Sequence, residues 1–175
     1  MPGSTLGCSL YYSATDDEVM RSPGRDRRIA LYEARFRDWA KTVSEIAGFA
    51  LAQKASSGRV GLLGLSNGGF LAVGTAAVDP RIAALVVFYG GIPGPVRDEI
   101  TRLPPLLALH GDGDHIIPIG EGRALVDRAN ALEGQAELIA YPRADHGFDF
   151  DPNSHIANDA RSRAIAFLRR QLGAD

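Results

Sequence analysis

The stretch Arg59–Phe70, "RVGLLGLSNGGF", decides how the rest of the chain is read. An apolar run, VGLLGL, passes straight into a serine among glycines and then into a second apolar run, FLAVGTAA. Two readings fit. One is a tight structural turn in which Ser66 caps the following helix. The other is a nucleophile held exposed at a sharp strand-to-helix corner.

Working outward, the runs VGLLGL (60–65), AALVVFY (83–89), PLLAL (105–109) and AELIAY (136–141) are short and rich in Val, Leu and Ile. Helix-like stretches over 68–78, 119–133 and 155–172 separate or follow them. Continuous apolar strands alternating with helices predict an α/β fold with a mostly parallel sheet covered on both faces. Upstream, Ile29, Tyr32, Phe36, Trp39, Val43, Ile46 and Ala50 recur at spacings of three and four. That periodicity predicts a long amphipathic helix over about 27–54, with Asp26 as N-cap and Gly58 as the stop signal. Residues 13–28 read as a loop.

Length and composition set the outer bounds. The 175 residues suit a single domain over 1–175, and 45% hydrophobic with 23% charged residues is ordinary for a globular chain. A net charge of −2 gives no reason to expect a nucleic-acid partner. No apolar run reaches membrane-spanning length, and the first twenty residues lack the basic-then-apolar order of a signal peptide. Cys8 is the sole cysteine, so no internal disulfide and no cysteine-built metal site is expected.

In a parallel sheet of this kind, ligands bind beyond the carboxyl ends of the strands. The four strands are followed by SNGG, GGIPGP, HGDGDHIIP and PRADHGF. Three of these loops carry residues suited to acyl transfer. Gly64-Leu65-Ser66-Asn67-Gly68 has the form G-x-S-x-G, which exposes a serine and aims the Asn67 backbone N–H at a developing oxyanion. A phosphate-binding reading is weaker, because no lysine follows the glycines and G-x-G-x-x-G is absent.

A serine hydroxyl needs a base to take its proton. Four histidines are candidates. His110 ends an apolar strand and reads as a packed residue. His115 lies in an acidic loop and His155 opens the last helix, both surface positions. His146 follows the last strand, at the end where Ser66 lies, and is the expected base. For the orienting carboxylate, Asp114 is favoured, because the HIIP that follows it can fold back onto the sheet. Asp112 is expected to cap its own turn, and Asp145 and Asp149 to point away from their neighbour His146. The chain order is then Ser66, Asp114, His146, with GGIPGP as a pocket wall.

With these pieces in hand the chain resembles the dienelactone hydrolase family of the α/β-hydrolase superfamily. The resemblance rests on GRVGLLGLSNGGFLAVGTAA, DPRIAALVVFYGGIPGP, LPPLLALHGDGDHIIPIGEGRAL, AELIAYPRADHGFDF and ARSRAIAFLRRQL, and is strongest over 58–172. It implies a three-layer α/β-hydrolase-like sandwich. It also implies a cytoplasmic esterase or lactonase, free of metal and cofactor, acting on small carboxylic esters. Two departures stand out. Prototype members carry cysteine in the elbow, whereas Ser66 stands here, which favours ordinary ester hydrolysis. Members also have several strands before the elbow, one leading to a second oxyanion donor, whereas about 58 residues precede it here and no HGGG-like segment occurs.

The expectation is a fold lacking its N-terminal strands, with STLGCSLYY (4–12) as the tail of one upstream strand. A natural short form, a fragment and a misplaced start all fit that expectation. The exposed sheet edge is expected to pair with residues 4–12 or with a second copy of the chain. Two functions follow: a Ser66–His146–Asp114 hydrolase, or a non-catalytic or weakly active hydrolase-like binding module.

Overall fold

The computed structural model describes residue 21 and residues 23–173. Helix α1 spans Arg25–Leu51, strand β1 Val60–Leu65, helix α2 Asn67–Val78 and strand β2 Ile82–Phe88. After a 3₁₀ turn at Gly94–Glu99 come strand β3 Leu106–Gly111, helix α3 Gly120–Ala131, strand β4 Ala136–Tyr141 and helix α4 His155–Leu172. The four strands form one sheet in the order β1-β2-β3-β4, every pair parallel. This is the α/β sandwich that the alternation of apolar runs predicts.

Strand parity divides the core. Leu85 and Val87 of β2, with Leu106 and Ala108 of β3, face one apolar layer, built with Phe36, Trp39, Leu71, Val73 and Leu125 of α1, α2 and α3. Ala84, Val86 and Phe88, with Leu107 and Leu109, face the other, closed by Ala160, Ala164 and Phe167 of α4. Both faces of β2 and β3 are thus covered, which is why neither strand shows a polar alternation. Small residues let α1 lie close on α2. A Cβ on Gly74 would come within 2.5 Å of the Phe36 ring, so the fully buried Phe36 occupies the space a larger residue would take. Burying a phenyl ring contributes about 1.5–3 kcal/mol.

Three expectations are corrected. Gly24, at φ 85°, is the N-cap of α1, and Asp26 lies in the first turn, where a carboxylate complements the helix dipole without capping. At the other end the helix closes at Leu51, because Ala52 to Ser56 turn on local bonds such as Ser56 N–H to the Gln53 carbonyl. Gly58, at φ 77°, ends this turn rather than the helix, its N–H donating to Ser56 Oγ. Thirdly, the loop read over 13–28 gives way to helix at Arg25, where α1 begins. Among the described residues β1 pairs with β2 alone, and Leu63 is 45% exposed. The expected strand at 4–12 falls outside the described residues.

At the amino end of β2, a polar clamp ties α1 to the start of the strand. Asp79 is buried and accepts hydrogen bonds from Ser44 Oγ at 2.6 Å and from Arg81 Nη2 at 2.7 Å. Bonding to the Arg81 guanidinium holds its carboxyl well below the usual range. The reactive groups gather at the other end, beyond the carboxyl ends of the strands.

Candidate active site

The corner after β1 is built around a strained serine. Ser66 has φ 53° and ψ −124°, a left-handed φ that an L residue adopts only when its surroundings impose it. Those surroundings are visible. Its N–H donates to the Phe88 carbonyl of β2 at 3.0 Å, and its own carbonyl accepts from Gly69 and Phe70 at 2.8 and 3.3 Å. Ser66 occupies the N-cap position of α2, yet its side chain accepts no capping hydrogen bond. The capping reading of the glycine-rich turn therefore fails, and the hydroxyl is left for another partner.

That partner is His146. Its Nε2 lies 3.0 Å from Ser66 Oγ, and its Nδ1 lies 2.8 Å from Asp114 Oδ2. With the Nδ1 proton donated to the carboxylate, Nε2 is the acceptor for the serine proton. The Asp114 carboxylate is fully buried and needs its lone pairs satisfied. Oδ1 accepts from the N–H groups of Ile116 and Ile117 at 2.9 and 2.8 Å, so the HIIP segment wraps the carboxylate and leaves Oδ2 facing the imidazole. The structure thus brings together the three residues singled out in the sequence, from the loops after β1, β3 and β4. Asn67 opens α2 beside Ser66 and is exposed, its N–H among those at the positive end of the helix dipole.

The other candidates sort as follows. His110 is 1% exposed, with Nε2 2.9 Å from the Ile117 carbonyl and 3.6 Å from Asp114 Oδ2. Burial pushes its pKa down, so the ring is neutral and donates to Ile117, backing the Asp114 turn. His115 is exposed and pairs with Asp145 at 2.6 Å, and Asp145 Oδ1 also accepts the His146 backbone N–H at 2.7 Å. His155 is the first residue of α4, capped by Ser154. Asp112 does not cap its own turn. Its Oδ1 accepts the Arg143 N–H at 2.5 Å, tying the loop of Asp114 to the loop of His146. The GGIPGP loop packs on α2, since Cβ atoms at Gly90 and Gly91 would meet Gly69 and Phe70.

Two residues without an assigned role in the sequence join the site. Tyr32 of α1 donates its hydroxyl to the Asn67 carbonyl at 3.0 Å, and burial pushes its pKa up, so it stays protonated. Tyr89 places its ring centroid 4.5 Å from that of His146. The signal for Tyr89 was its place at the carboxyl end of β2, but its apolar neighbours made it read as one more strand residue. Among the described residues, no group of three or more His, Cys, Asp or Glu side chains is placed to hold a metal ion. No helix among them is long and apolar enough to cross a membrane.

A strained serine at a strand-to-helix corner, a histidine from the last loop and a parallel sheet between helix layers define an α/β-hydrolase-like fold. The chain belongs to the dienelactone hydrolase family, whose model matches residues 17–172. Among curated relatives, the "Putative carboxymethylenebutenolidase" of Escherichia coli K12 is 28% identical over 144 residues, covering 75% of this chain and 53% of that protein. The protein of the same name from Yersinia pestis is 31% identical over 120 residues, covering 61% and 45%. The chain spans about half the length of the curated relatives it matches. Among solved structures, a "Putative Dienelactone Hydrolase" from Klebsiella pneumoniae has a TM-score of 0.64 at 27% identity, covering 75% of this chain and 60% of that one. Esterase 2 of Thermogutta terrifontis, at 20% identity and a TM-score of 0.60, shares the fold.

Proposed function

We propose that the chain is a serine hydrolase that cleaves small carboxylic esters or lactones through an acyl-enzyme. The observation that carries this reading is the uncapped Ser66 hydroxyl, 3.0 Å from an imidazole whose other nitrogen is held by a buried carboxylate. In the first step Ser66 Oγ attacks the ester carbonyl while His146 Nε2 takes its proton. The negative charge on the carbonyl oxygen is met by the Asn67 N–H at the helix N-terminus. The tetrahedral intermediate collapses, the bond to the alkoxide breaks, and the imidazolium returns its proton to that leaving oxygen. For a lactone the leaving alkoxide stays tethered to the acyl group. Water, deprotonated by His146, then attacks the acyl-serine and regenerates Ser66. Asp114 keeps the Nδ1 proton in place and stabilises the imidazolium throughout.

The family and the names of its relatives support an ester substrate. A second reading is a non-catalytic or weakly active hydrolase-like binding module, favoured by the single oxyanion donor assigned here, the Asn67 N–H. Reaction with a fluorophosphonate separates the two. Covalent labelling at Ser66, abolished in Ser66→Ala, is expected of the hydrolase. An intact Ser66 after prolonged exposure would sink that reading.

A further inference from the structure

Tyr89 is held in a way that the triad does not by itself explain. It is 1% exposed and has φ 37°, a conformation disfavoured for any residue with a Cβ, although glycines stand immediately after it at 90 and 91. Strain of this kind persists where the surroundings over-determine it. Here they do so on every side. The Tyr89 N–H donates to the Leu109 carbonyl at 2.9 Å. Its hydroxyl donates to Asp149 Oδ1 at 2.5 Å, and Asp149 is itself buried. The ring packs edge-on against Phe88 and Phe148, at 6.1 and 5.7 Å between centroids. Phe148 and Asp149 belong to the loop that carries His146, so the phenol and the imidazole are anchored to one segment. The His146 imidazole packs against the ring as well, 4.5 Å away between centroids and tilted by 57°.

We infer that Tyr89 is a positioning residue for His146: its ring, pinned by Asp149, holds the imidazole between Ser66 and Asp114. This rests on the serine hydrolase reading. Proton transfer from Ser66 needs Nε2 within hydrogen-bond reach of Oγ, and turning the imidazole would lose that approach and the Asp114 bond together. The Tyr89 ring beside it opposes that turn.

Other groups also face His146. Asp114 comes from the β3–α3 loop, neutral His110 stands behind Asp114, Asp145 adjoins on the same loop, and Asp149 lies at the hydroxyl end of Tyr89. The phenol brings no charge of its own. Burial, then the bond to Asp149 and the nearby carboxylates, push its pKa far above the ordinary value. Its influence on His146 is therefore through the ring and through the loop it pins.

The test compares Tyr89→Phe with Tyr89→Leu in the full chain, with thermal unfolding as the check on folding and Tyr89→Met in place of Leu where Leu does not fold. Phe keeps the ring and removes the hydroxyl that Asp149 holds, whereas Leu removes the ring as well. The readout is the low-field proton resonance of the His146 Nδ1–H that Asp114 accepts, which exchange broadens when the imidazole is free to turn. It is expected to be sharp in the wild type, weaker in Phe and lost in Leu. A folded variant without the ring that keeps the wild-type resonance would overturn the inference. Fluorophosphonate labelling of Ser66 in the same samples reports on the hydrolase reading separately. A protein that never labels yet shows these changes fails as a hydrolase while the ring contact stands.

Discussion

Gly64 and Gly68 are in backbone contact across the elbow: a Cβ built on Gly64 would lie 2.2 Å from the Gly68 carbonyl oxygen and 2.7 Å from the Gly69 Cα. Those neighbours are main chain and cannot swing aside, so the first glycine of G-x-S-x-G is where β1 and α2 meet. Gly68 differs, because a Cβ there would meet nothing within 4 Å. The two glycines of the motif therefore predict opposite outcomes. Gly64→Ala is expected to lose at least about 2–3 kcal/mol of stability, as overpacking against backbone does, and to abolish Ser66 labelling. Gly68→Ala is expected to fold normally and to gain a few tenths of a kcal/mol, since alanine is the better helix former. Urea unfolding of both variants checks this, and equal stabilities would refute the contact.

The triad geometry sets the kinetic expectation. Ser66→Ala removes the nucleophile and is expected to bring turnover of p-nitrophenyl acetate down to the buffer rate. Asp114→Asn preserves the shape but places a neutral amide opposite His146 Nδ1, which permits the wrong tautomer. A fall of about four orders of magnitude in kcat is expected, with KM little changed. Full turnover in Ser66→Ala would show that the hydrolysis, if any, is not performed by this serine.

His110 makes stability depend on pH. Burial depresses its folded pKa below the ordinary value of 6.5, against the opposing pull of the Ile117 carbonyl and the Asp114 charge. The unfolded chain binds the proton more readily, so the stabilisation from the neutral ring is complete above about 6.5 and is lost as pH falls toward the folded value. His110→Gln keeps a donor for the Ile117 carbonyl and cannot titrate. Denaturant midpoints measured at about pH 7.5 and 5.5 are expected to fall for the wild type and to fall less for His110→Gln. Parallel slopes would mean that His110 is not held neutral by the fold.

Much of the architecture was legible because each signal was local. AELIAY reads as a strand over 136–141, and β4 has those bounds. The last helix likewise runs from 155 to 172, with Ser154 at its cap and Gly173 in the left-handed region after it. Ser66, Asp114 and His146 could be singled out because each follows an apolar run that ends at the same side of a parallel sheet. The failures have a common cause, which is a partner distant in sequence. Asp112 reads as a turn cap until Arg143, across the adjacent loop, is placed beside it. Tyr89 reads as the last residue of a strand, but the strand ends at Phe88. The hydroxyl of Tyr89 finds Asp149 sixty positions away. No local pattern encodes such a pairing, because it depends on the register of β2 against β3 and on the path of the loop after β4.

The last prediction concerns β1. It is paired on one side only among the described residues, and its run VGLLGL carries no charge that would discourage a further strand. Leu63 is 45% exposed, whereas every residue of β3 is buried. An apolar strand with unpaired N–H and C=O groups along one edge is a template for pairing with another chain. The 175-residue chain is therefore expected to self-associate along this edge, with an average mass in sedimentation that rises with concentration. Lysine on an edge strand discourages such pairing, so Leu63→Lys is expected to shift the distribution toward monomer. Ser66 labelling per folded chain should be retained, because Leu63 takes no part in the triad. A wild-type chain that stays a monodisperse monomer over the whole concentration range would show that this edge is already satisfied within the chain.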